Sequence, residues 1–346
     1  STIHTRHDVP RYGDDPLEWL DAAIRIATDG AYDALVPTQE QAAALSAAAR
    51  EVTAAGIRTA VPPFASLAQV QDKASASATL TRLGIPTPPT IVIDAAALAE
   101  WDVFPVFAKR PVGTGSTGVV CCPTAADLPS LGAGEVLVLQ EPAPGALAMV
   151  QTVWCHGKLV AAHVNERVAE GAGGGASRKR SLDRPDAIEL IATLGHALDW
   201  HGALCADVIL SPSGPVVIDV NPRLVEPANA AASGVDLIGA LVEAAFDRPA
   251  VQPASRAGVE THQVLLAVGG AAQHVGTRRR IVAEASSAIG RRGDYRDSRE
   301  ELTPLRGDWR SAVVVGAALG ALVVTPGAWR WFAQGTVASY ALTPTG

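Results

Sequence analysis

Charge is scarce in this chain. Lys, Arg, Asp and Glu supply 18% of its 346 residues, against roughly 25% in an average soluble protein. The hydrophobic fraction is 48% and the mean hydropathy is +0.18. Disorder as the main state is thereby excluded, since it needs the opposite composition. The balance of 28 Lys+Arg against 35 Asp+Glu, a net charge of −7, argues against a protein that works by gripping the phosphates of nucleic acid. Cysteine is equally sparse. Cys121 and Cys122 are adjacent while Cys155 and Cys205 stand alone, so no zinc-ligand spacing exists. The thiols read as small buried hydrophobes in a reducing compartment. No signal-peptide pattern is visible at the start, and a cytoplasmic location is the expectation.

One uncharged run, residues 311–328, comes close to the length of a membrane span. Pro326 near its end and its many Gly and Ala residues favour a buried or partner-facing helix. Membrane association through 311–328 is the lesser reading.

The length predicts two or three domains. In residues 1–84, helices predicted over 17–28 and 40–55 alternate with short strands over 33–37 and 56–61. That order is a parallel α/β layer with too few strands to be complete. A helix over 70–83 ends at Gly84, and Ile85-Pro-Thr-Pro-Pro89 follows as a linker. Residues 85–246 turn to strands, predicted over 103–109, 118–122, 135–140, 147–156 and 159–165, with helices near 125–131, 185–200 and 235–246. Residues 247–346 read as a mainly helical C-terminal region.

The most informative element is a hairpin over 203–222 with its turn at Ser211-Pro-Ser-Gly214. A turn centred near Ser213 sets Asp207 opposite Asp219, and strand alternation adds Asn221 and Arg223 to the face of Asp219. Two facing carboxylates repel, and burying them unpaired is costly. A divalent cation removes the conflict, and Asp, Asp and an Asn carbonyl make a hard oxygen set suited to Mg²⁺, with Mn²⁺ a substitute. The bland alternative is a solvated outer face; the apolar residues on both sides count against it.

A second constellation is Phe104-Pro-Val-Phe-Ala-Lys109 followed by a loop to Gly118. Lys109 ends an apolar strand, where an ammonium needs an anionic partner. Gly113, Gly115 and Gly118 would let backbone N–H groups approach phosphate oxygens, and Ser116 and Thr117 add hydroxyl donors. The loop is neither a Walker A loop nor a dinucleotide fingerprint, and a plain hairpin loop remains its alternative. A glycine-rich stretch over 171–176 leads into Arg178, Lys179 and Arg180. It is expected as an exposed flexible loop whose cations either close over a polyphosphate or are merely solvated. Lys73, after Asp72 at a helix start, is ambiguous by itself.

The order of these elements resembles the ATP-grasp superfamily, which includes carboxylate–amine ligases, biotin carboxylase and carbamoyl phosphate synthetase. The resemblance runs from Asp72 to about Phe246: Asp72-Lys73 before a helix and Gly-Ile-Pro-Thr-Pro, Pro105-Val-Phe-Ala-Lys109, the glycine loop, Val138-Leu-Gln-Glu141, the glycine–basic loop, Asp207, and Ile218-Asp-Val-Asn-Pro-Arg223. It implies an ATP-grasp fold, of mixed α/β and α+β class, over 85–246. A partial pre-ATP-grasp layer over 1–84 and a helical extension over 247–346 would flank it.

By that resemblance Lys73 and Lys109 bind ATP phosphates, and the backbone of Gln140, Glu141 and Pro142 forms the hinge that reads adenine. Asp207, Asp219 and Asn221 hold Mg²⁺, and Arg223 stabilises an acyl phosphate. The implied reaction is a carboxylate activated by ATP and attacked by an amine, on small-molecule substrates, with a homodimer allowed. The alternatives are a carboxylase or small-molecule kinase on the same fold, or a nucleotide-regulated binding protein. Both metal carboxylates are Asp where the family mostly has Glu, and residues 145–149 lack the acidic group many members place on the ribose. Glu226 and Asn229, just after the metal strand, either face the acceptor or cap their loop.

Overall fold

The computed structural model describes residues 5–113, 118–302 and 309–331. Its first helix, Pro16–Asp29, starts where expected because Asp15 accepts hydrogen bonds from the Leu17 and Glu18 amides and proline takes the first turn. The single helix expected over 40–55 breaks at Ala48 into Gln41–Ala47 and Ala49–Ala54. The two expected strands reduce to one parallel bridge, Ala34 to Arg58. Leu20, Leu45, Val52, Ile57 and Val61 form the small core of this unit.

A four-stranded antiparallel sheet follows, built from β1 (Thr90–Asp94), β2 (Val106–Lys109), β3 (Val119–Cys122) and β4 (Val136–Gln140), in the order β1-β4-β2-β3. β1 has no counterpart among the expected strands. The helix expected near 125–131 is a single 3₁₀ turn, Ala125–Asp127, closed by a Thr124–Asp127 capping box.

The larger sheet has seven strands: β5 (Ala146–Cys155), β6 (Lys158–Glu170), β7 (Ala176–Leu182), β8 (Gly202–Ser211), β9 (Gly214–Asn221), β10 (Glu260–His262) and β11 (Arg299–Glu300). Their order is β11-β10-β7-β6-β5-β8-β9, antiparallel except for the parallel β10–β11 pair. One face packs Val150, Val164, Leu204, Val208 and Val217 against helix Pro185–Ala197. The opposite face packs Val153, Ala161 and Cys205 against helix Leu237–Ala245. Alternation of apolar residues to both faces is what a sheet covered on two sides requires.

β7 overturns one expectation. The stretch through Ser177, Arg178, Lys179 and Arg180 is an interior strand between β6 and β10, not an exposed flexible loop. Its cations are matched by acidic groups on distant segments: Arg178 by Glu260 and Asp294, Lys179 by Glu226 and Glu301, Arg180 by Glu166 and Glu260.

Beyond β10, helices Val264–His274, Arg278–Gly290 and Trp309–Val324 share a core of Val268, Ile281, Ala288 and Leu322. Among the described residues no helix is long and apolar enough to cross a membrane.

Gly195 lies inside helix Pro185–Ala197, where a Cβ would meet the Trp154 ring at 2.3 Å. Alanine normally improves a helix interior by about 1 kcal/mol over glycine. Here overpacking, at about 1–3 kcal/mol, should win. Gly195→Ala is expected to lower the urea midpoint, and a rise in stability would contradict this packing.

Candidate functional site

The hairpin β8–β9 does set Asp207 opposite Asp219, by a route the sequence did not show. The turn closes between Ser211 and Gly214, which by itself would leave the two carboxylates out of register. A bulge at Ile218 restores the pairing. Asn221 donates from Nδ2 to Asp207 Oδ2 at 3.4 Å. Burial, and then the charge of Asp219, push the Asp207 carboxyl up to about 7, against the opposing pull of Asn221, Arg223 and Lys109.

The bulge has a second consequence. Lys109, at the end of β2 in the other sheet, donates from Nζ to the Ile218 carbonyl at 2.8 Å and to Gln140 Oε1 at 2.7 Å. Only 6% of Lys109 is exposed. Burial pushes its ammonium below the usual lysine value; Asp219 opposes that and Lys73 adds to it. Gln140 is itself oriented by donating to Thr90 Oγ1 at 3.0 Å, and the Glu141 amide donates to the Pro89 carbonyl at 2.9 Å. Glu141 and Pro142 thus follow β4 out of the sheet beside the β1 linker.

Asp72 caps helix Lys73–Arg82 by accepting from the Ala74 and Ser75 amides. Lys73 then reaches the Gly113 carbonyl at 3.2 Å through Nζ. Lys73 and Asp219 line both of two adjoining recesses between the sheets, one also lined by Glu40, Gln71 and Asn221, the other by Lys109, Gln140 and Thr90. Gly113 and Gly118 flank the glycine loop, and the Arg110 amide donates to the Gly118 carbonyl at 2.8 Å. Gly115, Ser116 and Thr117 lie outside the described residues.

Arg223 is 8% exposed and donates from Nε to Glu40 Oε1 at 3.0 Å. It therefore ties the N-terminal unit to the strand that carries the carboxylates.

Register places further polar groups on the face of the aspartates. The directly opposed series Asp219, Asp207, Met149, Asn165 and Ser181 crosses from β9 to β7. Gln151, His163 and Lys179 share that face through strand alternation. Arg178 and Arg180 point the other way, so the three cations do not act as one cluster. At roughly 4.8 Å per strand, Lys179 stands about 14 Å across the sheet from Asp207.

Lys179 is 3% exposed, bonded to Glu301 Oε2 at 2.8 Å and to Glu226. Burial works against its ammonium, but the two carboxylates outweigh it and hold it above the usual lysine value. Glu226, in the left-handed region at φ +42°, belongs to the segment that leaves β9 and crosses this face, with Gln151 donating to the Val225 carbonyl. Asn229 neither faces a cleft nor caps its own loop: its Oδ1 accepts from His163 Nε2 at 2.9 Å and its Nδ2 donates to Thr261 Oγ1 at 2.7 Å. Burial pushes His163 down to about 4. Gln151, His163, Asn165, Thr261 and Glu301 were absent from the sequence expectations. For Gln151, His163 and Asn165 the signal was there as polar residues at alternate positions of apolar strands; Thr261, in an all-polar strand, and Glu301, in none, carried no such signal.

Residues 70–227 match the family model of the ATP-grasp domain. This segment is an ATP-grasp domain. No curated protein matches the chain. Among solved structures, the biotin carboxylase domain of Hydrogenobacter thermophilus 2-oxoglutarate carboxylase superposes with a TM-score of 0.57 at 18% identity, over 70% of this chain and 61% of that one. Campylobacter jejuni biotin carboxylase gives 0.58 at 17%, over 71% and 62%. N5-carboxyaminoimidazole ribonucleotide synthetase of Thermotoga maritima gives 0.52 at 19%, over 69% and 64%. The chain thus spans less than two thirds of the length of these structures, and the likeness is one of fold.

A divalent cation is implied by an ATP-grasp domain, and the residues present fit one. Asp207 and Asp219 face each other, and burial followed by their mutual repulsion raises the Asp207 carboxyl to about 7 even with Lys109 and Arg223 nearby. Two carboxylates and the Asn221 amide oxygen are hard donors. Because the Asp207 pKa is raised from an unfolded value of roughly 3.9, its ionisation costs the fold stability as pH rises through about 7. A cation has to displace that proton below pH 7 and meets none above it. Mn²⁺ affinity should therefore fall about tenfold per pH unit below 7 and level off above it. Calorimetric titration over that range tests this, with Asp207→Asn expected to flatten the profile.

Proposed function

We propose that the chain is an ATP-dependent enzyme that activates a carboxylate as an acyl phosphate and passes it to an amine, releasing ADP and phosphate. The observation that carries this reading is the facing pair Asp207 and Asp219, with Asn221 beside it and the Lys109 ammonium bound to the Ile218 carbonyl at the bulge next to Asp219. A regulatory nucleotide site has no need of such a concentration of opposed charge on one strand pair.

In this reading Lys73 and Lys109 meet the nucleotide phosphates, and Gln140, Glu141 and Pro142 form the adenine hinge. Asp207, Asp219 and Asn221 hold Mg²⁺, which when bound draws charge from the phosphates. The carboxylate oxygen attacks the γ-phosphorus and the bond to ADP breaks. The amine then loses a proton as its nitrogen bonds the acyl carbon, and phosphate leaves. Protein groups contribute position and charge rather than covalent chemistry. Arg223, held by Glu40 and adjoining Asn221, would stabilise the acyl phosphate in this reading. Lys179 and Glu226 lie on the same face toward the acceptor end, while Arg178 and Arg180, on the reverse face, hold the sheet together. The division into 1–84, 85–246 and 247–346 goes with this reading, as do small-molecule partners and a cytoplasmic setting.

A second reading, carboxylation with bicarbonate as the activated carboxylate, is favoured by the Lys179–Glu226 pair, in which a buried ammonium meets a carboxylate open to solvent. The Hydrogenobacter domain was determined with MgADP and bicarbonate, and bicarbonate is activated by the same first step.

ADP and phosphate release measured over a panel of carboxylates, bicarbonate included, each with and without amines, tests both. Turnover requiring a carboxylic acid and an amine supports the ligase; turnover requiring bicarbonate supports the carboxylase. Asp219→Asn and Lys109→Met should each lower kcat by at least about a hundredfold with the far-ultraviolet dichroism unchanged. Wild-type activity in either variant would refute the site.

A further inference from the structure

The turn between β5 and β6 carries a group of metal-ligand side chains away from the ATP-grasp cleft. Cys155 ends β5, His156 follows in the turn, and His201 immediately precedes β8, the neighbour of β5. One ligand atom from each lies within 4.8 Å of the others. Cys155 and His201 are 7% and 8% exposed, whereas His156 is open to solvent. The two imidazoles stack with centroids 4.2 Å apart and planes 8° from parallel.

The surroundings orient these groups as ligands. His156 Nε2 pairs with Asp247 Oδ1 at 2.7 Å, which leaves Nδ1 as its lone-pair donor. A carboxylate on the far nitrogen is the arrangement that fixes ring orientation in zinc-bound histidines. His201 Nδ1 accepts only a long bond, 3.4 Å, from the His156 amide, one weak enough for a metal to take over its lone pair. His156 is also held at φ +46°, a left-handed position that a non-glycine residue seldom takes.

We propose that Cys155, His156 and His201 form a zinc site, with Asp247 orienting His156 and water completing the coordination. A thiolate and two imidazoles are borderline donors that suit Zn²⁺ and not the hard cations favoured by Asp207 and Asp219. In tetrahedral zinc, with Zn–S near 2.3 Å and Zn–N near 2.0–2.1 Å, ligand atoms stand roughly 3.3–3.7 Å apart. The group contracts by no more than about 1.5 Å to reach this. Rotation of the exposed His156 ring out of the stack, with the equally exposed Asp247 carboxylate following Nε2, supplies the movement and brings its in-plane lone pair to the metal. The thiol proton passes to water as the Zn–S bond forms. The ion would clamp the β5–β6 turn to the start of β8, where the N-terminal unit docks so closely that a Cβ on Gly202 would lie 2.2 Å from the Ala60 carbonyl.

The test titrates the full reduced chain, in millimolar Mg²⁺ to occupy the oxygen-ligand site, with Co²⁺ as the spectroscopic probe. The wild type is expected to develop a saturable thiolate-to-cobalt band in the near ultraviolet with visible bands of four-coordinate Co²⁺, both removed by Zn²⁺. Cys155→Ser should abolish the near-ultraviolet band, and Asp247→Asn should weaken Co²⁺ binding about 10–100-fold. His156→Asn changes only an exposed turn residue, and asparagine tolerates the left-handed region; it should weaken binding at least about tenfold. Asp219→Asn should leave the band intact. No thiolate band in the wild type, a band retained in Cys155→Ser, or unchanged Co²⁺ affinity in His156→Asn would overturn the proposal. The last holds whether or not Cys155→Ser folds.

Discussion

The ammonium of Lys109 is the point on which the cleft depends. It leaves the four-stranded sheet, crosses to the seven-stranded one, and binds the Ile218 carbonyl. That carbonyl is available because a bulge takes Ile218 out of the β8–β9 pairing. The same bulge brings Asp219 opposite Asp207. A buried ammonium and a half-buried pair of facing carboxylates would each be costly alone. Set beside one another, each lowers the cost of the other, and the remaining imbalance is what a nucleotide with its cation would correct.

The terminal units are joined to the ATP-grasp domain by the same means. Arg223 holds Glu40 of the N-terminal unit, and Lys179 holds Glu301 from the C-terminal region, each pair largely withdrawn from water. Buried ion pairs of this kind add little net stability over apolar packing, but losing one partner is expensive. They set which surfaces meet. The polar row from Asp219 across to Lys179 is thereby closed at both ends by residues from outside residues 70–227, so the flanking units shape the site although the family match does not include them.

Much of this could be read from the chain. Asp72 announces the helix it caps, and alternation marks the strands of the hairpin. The Asp207–Asp219 pairing was legible even though two details were hidden, because the earlier turn and the bulge offset each other. β7 was not legible. Glycines followed by Arg178, Lys179 and Arg180 have the local look of a solvated loop, and their acidic partners lie far away in sequence, Glu260 80 residues and Glu301 122 residues on. β1 was hidden behind the proline cluster that precedes it.

Local chemistry was already written in the order of the residues: the Asp72 cap, the apolar alternation, the hard oxygen donors of one hairpin and the family to which residues 70–227 belong. Each depends on residues a few positions apart, where backbone geometry leaves little choice. Which charge neutralises which was set by the fold. Arg223 met Glu40, Lys179 met Glu226 and Glu301, and Cys155, with no ligand spacing of its own, met His201 across neighbouring strands. Electrostatic partners are chosen by distance in space, and in a chain so poor in charge each such choice is set by the packing of its apolar majority.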